Sequence, residues 1–234
     1  MDFLAGLDVS IYRAINGLCG TSQLLDRLVY HFEPLRGVLF MGIFGLLWFR
    51  QDKFRARTHE ILLLTIPAVM LALLLNRTIS TLLPFRLRPM YALGANPPSF
   101  TWAYDLENWS SFPSDNASYL FAIATCLWFV SRPLGTVFGL FSAFAVLGRV
   151  YLGIHYPSDI FVGALIGIAS ALIINRAVIL RRRLADPLLT FETRTPSYFY
   201  GLLLFTLAEV ETGFQNSRRI AVAVVHMFTG FHGP

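Results

Sequence analysis

Three short polar stretches sit at the ends of long apolar runs and hold residues suited to phosphate chemistry. The richest is GRVYLGIHYPSDI (148–160): Arg149 closes one apolar run, His155 lies in the connection and Asp159 opens the next run. His155 and Asp159 are four apart, but Pro157 stands between them and works against one continuous helix. The spacing therefore predicts His155 in a turn and Asp159 in the first helical turn after it. From there a carboxylate can hold the second imidazole nitrogen, fix the tautomer and raise the basicity of the ring. FRLRPM (85–90) supplies Arg86 and Arg88, whose planar forks take two phosphate oxygens at once, with Pro89 to stiffen the backbone. SSFPSDNAS (110–118) reads as a helix start, with Pro113 ending an extended stretch, Ser114 as N-cap, and Asp115 and Asn116 in the first turn. Backbone N–H groups at such a start favour an anion. Taken alone, the last two stretches are ordinary, because interfacial arginines meet lipid headgroups and many helices are capped. Arginine, histidine and aspartate converging at the ends of apolar segments are a functional candidate.

The elements that carry these residues read as membrane helices. The chain has 234 residues, of which 55% are hydrophobic and 14% charged, against about 25% charged in soluble domains. Its mean hydropathy is +0.58. Apolar runs fall near 35–49, 60–77, 116–131, 134–153, 158–180 and 197–213. They do not alternate as barrel strands do, and helices are the other way to satisfy a backbone in lipid. The expected fold is all-α, a polytopic membrane bundle of about six transmembrane helices in one membrane domain over 1–234. Residues 1–33 interleave Leu4, Val9, Ile11, Tyr12 and Ile15 with Asp8, Ser10, Arg13 and Asn16. That pattern predicts one or two amphipathic helices lying in the interface. Residues 34–180 form the expected catalytic helical core, and 184–234 a last span and tail.

Charge sets the expected orientation. RQDKFRARTHE (50–60), Arg132 and the RRR of 181–183 share one side if the spans alternate, and the positive-inside rule makes that side cytoplasmic. The opposite side then holds the 78–115 loop, the 154–157 connection, and Arg77, Arg86, Arg88 and Arg149. Arginines there run against the loop bias, and a bound anion accounts for them. The net charge of +5 lies in short clusters between apolar runs, so no nucleic-acid partner is expected. Cys19 and Cys126 define no disulfide framework, and Cys126 reads as a small buried hydrophobe. The MDFLAGLDVS start has Asp2 and no basic cluster, which argues against a cleaved signal peptide. His31, His59, His226 and His232 lack matching partners and read as solvated or interfacial. Gly163 and Gly167 form a GxxxG pair that predicts close helix packing rather than dimerisation, with a homodimer left open. Trp102, Tyr104 and Trp109 read as an interfacial aromatic belt.

These stretches, in this order, resemble the motifs of the type-2 phosphatidic acid phosphatase superfamily, which also includes vanadium haloperoxidases. The family pattern is K-x6-RP, then PSGH, then SR-x5-H-x3-D. The counterparts are Arg88-Pro89, then Pro113-Ser114-Asp115-Asn116, then Arg149, His155 and Asp159. The resemblance covers about residues 76–170. Thr81 stands where the family has lysine, with Arg77 or Arg86 near enough in sequence to replace its charge. Asp115 stands for glycine, a variant associated with polyprenyl diphosphate phosphatases, and Gly148 stands for serine. Asn116 stands for the histidine that protonates the leaving group.

The resemblance implies a metal-independent lipid phosphatase without cofactors. In it His155 attacks phosphorus to form a phosphohistidine, Asp159 orients and stabilises it, and Arg88, Arg149 and the amides near Ser114 and Asp115 hold the oxygens. Asparagine is no general acid, and such help is worth roughly 10²–10⁴-fold. A diphosphate substrate loses least, because its leaving group is a phosphate monoester. The leading expectation is therefore removal of the terminal phosphate of a polyprenyl (undecaprenyl-type) diphosphate at the outer face of the cytoplasmic membrane. Two alternatives stay open. One is a lipid monophosphate phosphatase, of phosphatidic acid or phosphatidylglycerophosphate type, with an engineered acid-deleted site. The other is a non-catalytic lipid-phosphate binder or transport protein.

Overall fold

A computed structural model describes residues 2–51, 53–94, 106–176 and 178–211. These fold as nine α-helices: α1 Asp2–Asn16, α2 Gln23–Phe49, α3 Arg55–Leu82, α4 Pro89–Ala92, α5 Asp115–Val130, α6 Arg132–Tyr151, α7 Pro157–Arg176, α8 Val178–Arg194 and α9 Pro196–Glu211. The protein is a helical membrane bundle. Three helices, α3, α6 and α7, are individually long and apolar enough to span, and a fourth is added if the two parts of α2, Gln23–Phe32 and Leu35–Phe49, are one span bent by 43°. Residue 33, where the interfacial segment is expected to end, lies inside α2. The other two expected spans, α5 and α9, are 16 residues each, only about 24 Å at about 1.5 Å per residue.

Further differences concern the C-terminal part. Within the expected 158–180 span, residue 177 lies outside the described residues, and the RRR of 181–183 lies within α8 rather than in a loop. Trp102 and Tyr104 of the expected aromatic belt lie outside the described residues, as do His226 and His232.

The bundle is organised around α5, which packs against α7, α6 and α3. Close approach of α5 and α7 is a property of the two glycines. A Cβ on Gly163 would stand 2.5 Å from the Ser114 carbonyl oxygen, and one on Gly167 2.1 Å from that of Ser118. Cys126 is buried as expected, and accepts from Asn175 Nδ2 at 3.4 Å. Apolar side chains that stay exposed, among them Leu74, Leu140, Phe161 and Leu165, lie on the helices that span. Lipid is the natural solvent for such faces.

Helix α1 is amphipathic in an instructive way. Phe3, Leu4, Leu7 and Ile11 point outward, while Asp8 and Tyr12 are buried. Its inner face packs on α6 and α7, where Asn16 Nδ2 donates to the Tyr151 carbonyl at 2.8 Å. Asp26, near the start of α2, accepts from Tyr151 Oη, which ties the N-terminal region to the end of α6.

His59 is a correction. It is 4% exposed, not solvated, and its ring stacks on Trp48 with centroids 3.9 Å apart. His31 is exposed as expected.

Candidate active site

The three sequence stretches meet at one end of the bundle. Arg88 caps α4, Ser114 caps α5, Arg149 sits in the last turn of α6, His155 lies in the α6–α7 connection and Asp159 in the first turn of α7. The connection turns at Gly153, where φ is +76° and a side chain would be strained. The Gly153 carbonyl accepts from Met90 N at 2.9 Å, and the Arg149 carbonyl accepts from Ile154 N at 2.9 Å. These bonds hold the histidine loop against the arginine loop.

The hydrogen bonds of His155 fix its tautomer. Nδ1 lies 2.9 Å from the Ser111 carbonyl oxygen. A carbonyl can only accept, so Nδ1 carries the proton and Nε2 keeps its lone pair. Nε2 lies 3.3 Å from Arg88 Nη1, which donates to it. Arg88 Nη1 also donates to the Ile154 carbonyl at 3.1 Å. The expected carboxylate partner is present but secondary, since Asp159 Oδ2 is 3.5 Å from Nδ1. That oxygen accepts from Ser111 Oγ at 2.9 Å and Tyr156 N at 2.8 Å.

Burial and charge agree with a neutral imidazole. His155 is 3% exposed, and burial holds its imidazole below the ordinary histidine range. Asp159 pulls the other way, while the positive charges of Arg88 and Arg149 reinforce the fall. Burial, and then Arg149, push the Arg88 guanidinium down to about 10, so it stays charged at neutral pH. Two cations next to a neutral imidazole are what a phosphate dianion calls for.

The other predicted residues divide. Ser114 caps α5 through Ala117 N, but its own N–H donates to the Asp159 carbonyl at 3.0 Å. It is therefore spoken for, as is the Ala117 amide, and the first-turn amides of Asp115 and Asn116 remain suited to an anion. Asn116 is buried, and its Oδ1 accepts from Tyr119 Oη at 3.2 Å. That contact leaves the amide NH₂ as the donor edge. Arg77 pairs with Asp115 at 2.8 Å and lies over the Trp109 ring at 4.9 Å. Asp115 thus acts as an acceptor for Arg77 rather than offering a proton. Arg86 is held at both nitrogens: Nη1 donates to Asp159 Oδ1 at 2.6 Å and Ser158 Oγ at 2.8 Å, and Nη2 to Asp8 Oδ2 at 2.5 Å. Its guanidinium also covers the Tyr156 ring at 3.9 Å.

Sequence reasoning did not single out Asp8, Ser111, Tyr156 or Ser158. Asp8 was visible only as a polar position of an amphipathic helix, and its partner Ser158 is 150 residues away.

The family profile described as the PAP2 superfamily matches residues 61–183, which include Arg88, Asn116, Arg149, His155 and Asp159. A Bacillus licheniformis protein named bacitracin transport permease protein BcrC is 28% identical over 170 residues, 72% of this chain and 79% of its own. A Bacillus subtilis protein named undecaprenyl-diphosphatase BcrC is 27% identical over 183 residues, 77% of this chain and 89% of its own. Among solved structures, Aquifex aeolicus LpxE matches with a TM-score of 0.54 and 30% identity, covering 73% of this chain and 95% of its own.

Proposed function

Because the chain belongs to the PAP2 superfamily and is a membrane-embedded lipid phosphatase, we propose that it removes the terminal phosphate of a polyprenyl diphosphate through a phosphohistidine on His155. The observation that carries this reading is the pairing of Arg88 Nη1 with the lone-pair nitrogen of His155. In this reading the guanidinium turns from Nε2 onto the oxygens of an incoming phosphoryl group, which leaves the lone pair facing phosphorus.

In the proposed reaction the terminal phosphate takes up Arg88, and Nε2 attacks phosphorus in line. The N–P bond forms as the bridging P–O bond breaks, and its electron pair leaves on the lipid monophosphate. The phosphorylated imidazole keeps its Nδ1 proton and becomes cationic. The Ser111 carbonyl accepts that proton's hydrogen bond, and the Asp159 carboxylate at 3.5 Å stabilises the charge. Water then attacks phosphorus, the N–P bond breaks, and inorganic phosphate is released. Arg88, Arg149 and the first-turn amides of α5 stabilise the equatorial oxygens, the dominant contribution in phosphoryl transfer.

Asn116 favours the diphosphate. Its NH₂ edge can donate a hydrogen bond but cannot give up a proton. A phosphate monoester leaves without that proton far more readily than an alkoxide does. The undecaprenyl-diphosphatase name of one relative supports the same choice. The basic residues Arg57 and Arg132 line a common groove at the end remote from His155, which supports an active site on the outer face of the cytoplasmic membrane.

Phosphate release by the purified protein, with and without Asn116→His, tests the reading on polyprenyl diphosphate and phosphatidic acid. The expected result is release from the diphosphate alone, with Asn116→His gaining the monophosphate. A protein inert on both, revived by Asn116→His, would overturn the leaving-group argument and identify an acid-deleted site.

A further inference from the structure

We infer that Asp8, on the N-terminal helix α1, is a positioning residue of the active site that acts on Asp159 through Arg86. This inference rests on the proposed phosphohistidine chemistry, but it concerns a residue outside the three sequence motifs and outside residues 61–183.

The geometry is that of a charge bridge. One guanidinium, Arg86, joins two carboxylates, with Nη1 on Asp159 Oδ1 at 2.6 Å and Nη2 on Asp8 Oδ2 at 2.5 Å. Asp8 makes two further contacts, accepting from Ser158 N at 2.9 Å and Ser158 Oγ at 2.6 Å. Ser158 precedes Asp159 at the start of α7, so Asp8 acts there as a helix cap supplied by another helix. Both carboxylates are buried, Asp8 at 8% exposure and Asp159 at 0%. Burying a carboxylate is costly unless it is paired and hydrogen-bonded, and here each has several partners.

The consequence for chemistry follows from charge. Were Arg86 paired with Asp159 alone, the two would cancel, and Asp159 would offer His155 little negative potential. Asp8 takes half of Arg86's attention, so the Asp8–Arg86–Asp159 group keeps one net negative charge. That charge stabilises the imidazolium-like phosphohistidine. The remaining charged or titratable groups near the cluster are Arg88, Asp115 on α5, Arg149 on α6, Tyr156 in the connection and Tyr12 on α1. None of these replaces Asp8 as the second carboxylate on Arg86. Because Phe3, Leu4, Leu7 and Ile11 face outward from the same helix, the residue that sets this charge is mounted on an element built to lie in a membrane interface.

The test compares wild type, Asp8→Asn and Asp8→Glu in nanodiscs. It reads kcat and KM on polyprenyl diphosphate and, independently of activity, the NMR titration of the His155 ring. Asp8→Asn should lower kcat by about 10- to 100-fold, the usual cost of losing an outer partner, with KM nearly unchanged. It should also move the His155 titration to lower pH, and Asp8→Glu should restore part of both. Should Asp8→Asn fail to fold, Arg86→Lys, which keeps a cation but loses the planar fork that reaches both carboxylates from separate nitrogens, serves the same comparison. A folded Asp8→Asn protein with unchanged kcat and an unchanged His155 titration overturns the inference. If wild type releases no phosphate from any lipid, the proposed function fails, while the His155 titration still decides the role of Asp8.

Discussion

Two buried histidines, His155 and His59, sit at opposite ends of this bundle and differ in what surrounds the ring. His155 and His59 are 3% and 4% exposed. Each has one ring nitrogen on a backbone carbonyl, His155 Nδ1 on Ser111 at 2.9 Å and His59 Nε2 on Trp48 at 2.6 Å. Each has a carboxylate near Nδ1, Asp159 at 3.5 Å and Glu192 at 4.0 Å. The difference is what faces the rest of the ring. The second nitrogen of His155 meets Arg88. The ring of His59 lies flat on Trp48, and Glu192 is engaged by Tyr200 Oη at 2.9 Å. A histidine–carboxylate pair is thus a packing device at one end. At the other, a guanidinium on the lone-pair nitrogen suits it to the proposed phosphate chemistry.

Exchanging the roles experimentally should give the largest effects. His155→Ala should cut phosphate release by at least about 10³-fold, since the nucleophile is gone, and leave a folded protein. His59→Ala should do the reverse. Losing the stack and the buried hydrogen bond should cost about 1–3 kcal/mol of stability, while turnover per folded molecule stays near wild type. Activity assays paired with thermal unfolding separate the two, and full activity in His155→Ala would remove the proposed nucleophile.

A smaller effect should come from the packing beneath the site. Gly167→Ala puts a methyl where only 2.1 Å separates it from the Ser118 carbonyl oxygen. Helices α5 and α7 must part, at a cost of about 1–3 kcal/mol for overpacking. Because α5 carries Asn116 and α7 carries Asp159, kcat should fall along with the melting temperature. Gly139→Ala, on α6, meets nothing closer than 3.9 Å and should change neither.

What was legible in the sequence was whatever a local pattern encodes. Apolar runs located the helices, Ser114 and Pro157 marked starts, and the order of Arg88, Ser114, Arg149, His155 and Asp159 pointed to the family. The GxxxG pair foretold the tight α5–α7 contact. What was missed depends on partners that leave no local trace. The Ser111 contact to His155 is made by a backbone carbonyl, which any residue could supply. Arg86 appeared to be a spare phosphate ligand because its two carboxylates lie far away in the chain. His59 appeared solvated because its cover, Trp48 and Glu192, comes from α2 and α8.

The mildest test of the comparison is pH. Burial keeps His155 below the ordinary histidine range when folded, whereas unfolded it titrates near about 6.5. Below that pH the unfolded chain binds a proton that the native site resists. The stability it contributes is therefore complete above about 6.5 and is lost as pH falls through that value toward the folded one, by up to about 1.4 kcal/mol per unit of difference. Thermal unfolding in nanodiscs from pH 8 to pH 5 should show wild type losing stability on the acid side, and His155→Gln, which cannot titrate, losing less. An equal acid loss in both proteins would mean that His155 is not held neutral by its burial, and that the contrast with His59 rests on Arg88 alone.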